Sequence, residues 1–276
     1  MIDPLTPQDA LPEGFSNYTA IPKLIFSDEF STTQLDPTKW TARDQNRGKG
    51  NNGVEWWYKP ENVRKAKGND ALAIDICKVG DNVYSGGRID SQGKFDFTFG
   101  YFECKIHIPI TDGHLAAVWL QSSAGLPKGD HVNARTGAEI DVIESNSTSD
   151  QYSITLHWGG YGQYHKQSTE TVNAPNMRST WYHTFGVSWE SDKMIFTYDG
   201  NVVRTVTDSK LISQVREFPI LSNEIIPFAQ GNIHDAPLDA NCTMYIDYVR
   251  IWEYIDLAWP LRSARITSIP FTGSLR

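Results

Sequence analysis

The segment GAEIDVIES, residues 137–145, sets the carboxylates of Glu139, Asp141 and Glu144 among Ile140, Val142 and Ile143. Branched apolar residues favour a buried strand, whereas unpaired carboxylates are costly to bury. Because side chains alternate along a strand, Glu139 and Asp141 share a face and Glu144 falls on the other. One extra residue between Asp141 and Glu144, a β-bulge, returns Glu144 to the face of its neighbours. Ile140 and one or both of Val142 and Ile143 are then left for the core. Two carboxyl groups about 5–5.5 Å apart carry out double displacement at a glycosidic carbon, one as nucleophile and the other as acid and then base. Residues four apart on a regular strand are about 13 Å apart, so Glu139 and Glu144 must converge over Asp141, where a sugar would sit. Asp141 either raises a neighbour's pKa as a like charge or orients the nucleophile by a hydrogen bond. Two blander uses compete: a solvated acidic strand, or a Ca2+ site, although strand carboxylates lack the loop geometry that Ca2+ prefers.

Acids placed this way need a rigid scaffold. Short β-like runs recur about every 8 to 15 residues between turn signals, among them ALAIDIC (71–77), GYFECKIHIP (100–109), YSITLHWG (152–159), HTFGVSW (183–189) and CTMYIDYVRIWEY (242–254). In YFECKIHIP, Phe102, Cys104, Ile106 and Ile108 alternate with Glu103, Lys105 and His107, which predicts one apolar and one polar face. Asp199-Gly200-Asn201, between two alternating runs, is a strong hairpin signal. No segment keeps a long helical period, and the best short helix candidate is DSKLISQV, residues 208–215. Many short strands along one chain of this length predict an all-β protein, a single large β-sandwich or barrel. Residues 1–20, polar and proline-rich, read as a loose lead-in, and residues 255–276 as a disordered or vector-derived tail.

Composition excludes some function classes. A net charge of −8 argues against a general nucleic-acid or anionic-membrane binder, since both need a basic surface. The load of 9 Trp and 12 Tyr is heavy; about half the tryptophans suffice for a core, and a Trp face stacks well on a sugar ring. Cys77, Cys104 and Cys242 lack metal-like spacing and fit either one disulfide with a free thiol or three buried thiols. The opening MIDPLTPQDALPEG lacks the charged start and apolar stretch of a secretory leader, which suits a leaderless secreted chain as well as a cytosolic one. No run approaches the roughly 18 apolar residues of a membrane span.

E-I-D-V-I-E resembles the signature of glycoside hydrolase family 16 in its bulged form, E-x-D-x-x-E, as in laminarinases, agarases, porphyranases and κ-carrageenases. The unbulged E-x-D-x-E of lichenases and xyloglucan transglycosylases is absent. FSDEF (26–30), NNGVEWWYKPENV (51–63), GRIDSQGKFDFTFGYFECKIHIP (87–109), TLHWGG (155–160), TYDGNVV (197–203) and MYIDYVRIWE (244–253) resemble family segments in the expected order. The resemblance implies a jelly-roll β-sandwich of two curved antiparallel sheets, concanavalin A-like, with a concave substrate cleft over residues 21–254. It also implies an endo-acting retaining hydrolase of a β-linked polysaccharide. Laminarin-like β-1,3-glucan comes first, and an agarase- or porphyranase-type endo-β-galactanase or endo-β-galactosidase second. A non-catalytic carbohydrate-binding protein shares this sandwich, but it has no use for paired acids of divided function. A transglycosylase uses the same residues and differs in how well its acceptor sites exclude water.

Carried over residue by residue, the resemblance makes Glu139 the nucleophile, Asp141 the assisting acid and Glu144 the acid/base, with the charges of Asp141 and Glu139 raising the pKa of Glu144. Trp119 in AAVWLQS matches the Trp beneath the sugar at the cleavage point, and His157 in TLHW a cleft-facing histidine. Arg88, Asn52 and Glu55 resemble polar sugar-binding positions, and Trp56, Trp57 or Trp158 stacking platforms. No cofactor is implied for catalysis. A structural Ca2+ is implied on the sheet face away from the cleft, held by Asp247, Glu29 and the carbonyl of Gly68. One departure stands near the expected subsites: laminarinases usually read Trp-Pro before the cleft Trp, where this chain has His114-Leu115. The loop HVNARTG before the nucleophile strand has no counterpart in the resemblance. The expected partner is a polysaccharide, with no nucleic acid and no membrane, and the expected state is a secreted or periplasmic monomer.

Overall fold

A computed structural model describes residues 1–14, 20–68, 70–145, 148–179, 181–226 and 231–256. Among them the chain forms two largely antiparallel sheets, of ten and eight strands. The larger one, here the cleft sheet, runs in the order Lys166–Asn173, Gln151–Trp158, Glu139–Ser145, Leu115–Ser122, Glu217–Glu224, Val83–Asp90, Glu55–Tyr58 and Gln45–Lys49, with Thr41–Ala42 and Cys77–Gly80 also paired to Val83–Asp90. The outer sheet runs Asn201–Val206, Met194–Tyr198, His183–Trp189, Gly100–His107, Met244–Asp256, Leu72–Ile74 and Val63–Lys65. Ala20–Asp28 also pairs with Met244–Asp256, so the two ends of the folded chain share a strand ladder.

The core lies between the sheets. Phe102, Cys104 and Ile106 of the outer sheet are wholly buried in one cluster with Ile140, Ile154 and Leu156 of the cleft sheet. Burying one such large apolar side chain contributes about 1.5–3 kcal/mol. The alternation that reads as polar, by contrast, is not solvated throughout: Glu103 is only 1% exposed. The reason is the N-terminal segment, which is docked rather than loose. The backbone N–H of Glu13 donates to Glu103 Oε2 at 2.8 Å, and Tyr248 donates to its Oε1 at 2.9 Å. Thr6 bonds Ser27 and Glu29, both at 2.7 Å, and Trp252 donates to the carbonyl of Ala10 at 3.0 Å.

The hairpin forms as its residues require. Asp199 and Gly200 both have positive φ, 46° and 72°, between Met194–Tyr198 and Asn201–Val206, and this pair of angles matches the right-handed strand twist. The helix candidate shrinks to one 3-10 turn, Ser209–Leu211, because Ile212 turns extended and is fully buried. All three cysteines are free; Cys104 and Cys242 are buried and Cys77 is exposed. The last strand continues to Asp256, two residues beyond the expected boundary, and residues 257–276 lie outside the described residues. No helix among the described residues is long and apolar enough to cross a membrane.

Candidate active site

The Glu139–Ser145 strand carries the bulge. Against Gln151–Trp158, Asp141 pairs with Thr155 but the next pair is Glu144 with Ser153; against Leu115–Ser122, Trp119 pairs with Asp141 and Val118 with Ile143. Val142 is therefore the extra residue. Ile140, Val142 and Ile143 are all buried in the core, with 0%, 1% and 0% exposure, so both residues of the bulge serve it. Glu139, Asp141 and Glu144 consequently line one cleft of about 360 Å³ together with Trp119, Arg88, Tyr58, Tyr161 and Glu224.

Each acid has its own fastening. Glu139 Oε2 accepts from Gln121 Nε2 at 2.8 Å and from the Tyr161 hydroxyl in a short hydrogen bond. Its other oxygen, Oε1, faces His157 Nε2 at 3.9 Å. Asp141 Oδ2 lies 3.2 Å from the same His157 nitrogen. Glu144 Oε2 accepts from Thr155 Oγ1 at 3.0 Å. Trp119 is held by a relay in which its Nε1 donates to Ser222 Oγ at 3.1 Å, and Ser222 donates to Glu224 Oε1 at 2.6 Å. The Arg88 guanidinium lies over the Trp119 ring at 5.0 Å while its Nε bonds Asp90 at 3.0 Å.

Burial raises the pKa of Glu139, Asp141 and Glu144. It raises the pKa of Asp141 far above the usual carboxylate range, and the charges of Glu139, Glu144, Glu224 and Glu217 add to the rise. Glu139 is raised by burial first; the Tyr161 hydrogen bond opposes that, and the charges of Glu144 and Glu224 add to it. Glu144 is raised as a proton donor needs to be, but the cause differs from expectation. Burial is the largest contribution, the Thr155 hydrogen bond opposes it, and the like charge that adds to it is Glu224. His157 is pushed down to about 4 by burial and by His165, so its ring is neutral at pH 7.

Of the other residues singled out from sequence, Trp119, His157 and Arg88 join the acids. Glu55, Trp57, Trp158 and Asn52 do not. On Glu55–Tyr58 it is Trp56 and Tyr58 that are buried, with Tyr58 reaching the cleft, so alternation turns Glu55 and Trp57 the other way. There they satisfy each other, Trp57 Nε1 donating to Glu55 Oε1 at 3.0 Å. Trp158 follows His157 on the strand and therefore packs on the core, and Asn52 lines a separate pocket with His234 and Ile233. The residues expected to hold Ca2+ are engaged elsewhere: Arg250 grips both oxygens of Glu29 at 2.9 and 2.8 Å, and Lys105 pairs with Asp247 at 2.9 Å. With Gly68 on an exposed turn, these oxygens fit ion pairs rather than a cation cage.

Gln121, Tyr161, Tyr58, Arg47 and Glu224 were not singled out from sequence. Gln121 had a usable signal, as a polar residue near the end of the otherwise apolar LAAVWLQS; Glu224 had none, since EFPILSNE is polar at both ends. Tyr161 sits in a glycine-rich loop and had none.

Residues 50–249 match Glycosyl hydrolases family 16. Glucan endo-1,3-beta-glucosidase A1 of Niallia circulans is 26% identical over 266 residues, 83% of this chain and 38% of that protein. Endo-1,3-1,4-beta-glycanase ExsH of Rhizobium meliloti (strain 1021) is 25% identical over 268 residues, 86% of this chain and 52% of that protein. The chain thus spans about half, or less, of the length of these curated relatives. The X-ray structure of endo-beta-1,3-glucanase from Pyrococcus furiosus superposes with a TM-score of 0.69 at 24% identity, covering 89% of this chain and 100% of that one, and so shares the fold. All three acids lie within the matched residues, and the chain belongs to the glycosyl hydrolases family 16.

Proposed function

We propose that the protein cleaves internal bonds of a neutral β-linked polysaccharide, β-1,3-glucan foremost, with retention of configuration. The observation that carries this reading is the bulge at Val142, which places Glu139, Asp141 and Glu144 on one cleft face beside Trp119. Glu139 Oε2 is tethered by Gln121 and Tyr161, which leaves Oε1 to attack the anomeric carbon. Glu144 gives its proton to the departing oxygen and then takes one from the water that releases the glycosyl-enzyme. Asp141, buried between the other two acids, assists the nucleophile without forming a covalent bond. Glu224 supports a neutral glycan, because a sulfate or carboxylate on the bound sugar would meet a fourth acid in the cleft. The names of the two relatives point the same way. A polymer too large to cross a membrane is met outside the cytoplasm, and we infer that the enzyme works there.

The test is reducing-sugar release from laminarin, mixed-linkage glucan, agarose and porphyran, with product sizes read alongside. Laminarin should yield a ladder of oligosaccharides early in the digest. Release from porphyran with none from laminarin would overturn the substrate assignment, and a single small product from the outset would overturn endo action.

A further inference from the structure

Asp141 Oδ2 belongs to a side chain only 3% exposed, faces His157 Nε2 at 3.2 Å, and accepts no hydrogen bond. A buried carboxyl oxygen without a donor calls for an explanation, and a bound ion is one that its surroundings suit. One oxygen each from Glu139 and Asp141 and one nitrogen of His157 all lie within 4.8 Å of one another. We propose that Glu139, Asp141 and His157 form a binding site for one divalent transition-metal ion of the Zn2+ type, which competes with the glycan.

The spacing suits such an ion. Bonds of about 2.0–2.2 Å in a tetrahedral shell put neighbouring ligand atoms about 3.3–3.6 Å apart. His157 Nε2 stands 3.2 Å from Asp141 Oδ2 and 3.9 Å from Glu139 Oε1, on either side of that range. The histidine is prepared for ligation as well. Its Nδ1 is 2.8 Å from His165 Nε2, and the two rings stack at 4.9 Å. With its proton assigned to Nδ1, the ring donates to His165 and turns the Nε2 lone pair towards the acids. A partner on the far nitrogen is what orients metal-binding histidines in general. The imidazole nitrogen selects a transition metal over Ca2+ or Mg2+, which prefer all-oxygen shells. Three protein ligands leave a fourth position open to the cleft.

Competition follows from which oxygen is free. Gln121 and Tyr161 occupy Glu139 Oε2, so the ion takes the same Oε1 that the proposed reaction uses for attack. That competition rests on the functional reading, whereas the binding does not. Calorimetric titration with ZnCl2, and visible absorption on titration with Co2+, read binding without any glycan present. Wild type should take one ion per chain, with the intense Co2+ absorption of a four-coordinate site. His157→Phe and Asp141→Asn should each abolish it. His165→Phe, on an exposed loop, should weaken it about 10- to 100-fold and serves if a buried substitution fails to fold. An ion bound with wild-type affinity by these variants, or no ion bound by wild type, would overturn the site. Failure to hydrolyse any glycan would sink the functional reading and leave the titration standing.

Discussion

Glu139 and Glu144 share one reaction but fail differently when altered. Glu144→Gln removes general acid catalysis and should lower kcat by about 10²- to 10⁴-fold, while Glu139→Gln removes the nucleophile and should leave no measurable turnover. Asp141→Asn should be milder, since that residue forms no covalent bond, and circular dichroism should show all three variants folded. Near-normal turnover in Glu139→Gln would mean the nucleophile is elsewhere. Tyr161 offers a finer test. A hydrogen bond to an ionised carboxylate is worth about 1.5–3 kcal/mol and so depresses its pKa by about one unit or more. Tyr161→Phe should therefore raise the pKa of Glu139, and the acid limb of the kcat/KM profile should move to higher pH by about one unit. A profile unchanged on that limb would show that the tyrosine does not touch the working nucleophile.

Strand geometry makes its own prediction. Val142 is the one residue by which the nucleophile strand outruns both neighbours. Deleting it gives E-I-D-I-E, in which strict alternation still holds all three acids on the cleft face while the core loses one buried side chain. That variant should keep measurable hydrolysis and melt at lower temperature. A folded deletion variant without any hydrolysis would contradict alternation and its one-residue bulge as the device that aims the acids. The acids and the bulge were legible in the sequence because both are local: the motif spans six residues and the alternation rule decides its faces. The strand pattern was legible for the same reason. Which of Trp56, Trp57 and Tyr58 meets the substrate was not, because it depends on the pairing of Glu55–Tyr58 with Val83–Asp90, a parallel ladder between segments distant in sequence. Glu224 and Tyr161 reach the acids from other strands and loops, so no spacing within the motif could announce them. Glu103 misled in the opposite sense: its place on a polar face was read correctly, and the N-terminal segment that covers it was not foreseen.

At the scale of the molecule, buried acids link stability to pH. Glu217 is fully buried behind the nucleophile strand, accepts the Ala138 N–H at 3.3 Å through Oε1, leaves Oε2 unpartnered, and is pushed up by burial to about 8. Its folded pKa lies above its unfolded one, so the native state holds the extra proton and stability falls as pH rises from about 4.5 to 8. Glu217→Gln keeps the shape without the titration. Its Tm should exceed that of wild type at pH 8 by several degrees and lose that advantage near pH 4.5; an equal difference at both would contradict the assignment. The two sheets, and the cleft on the face of the larger one, hold two carboxyls close enough that a sugar carbon fits between them and a water beneath it does not; inverting enzymes need about 6.5–9.5 Å for that water. The most direct measurement is proton NMR of the first minutes of digestion of a β-linked substrate, before mutarotation blurs the anomers. Retention through a Glu139 glycosyl-enzyme gives the β-anomer first, decaying towards equilibrium with time. An α-anomer appearing first would contradict the double displacement, whichever polysaccharide is cleaved.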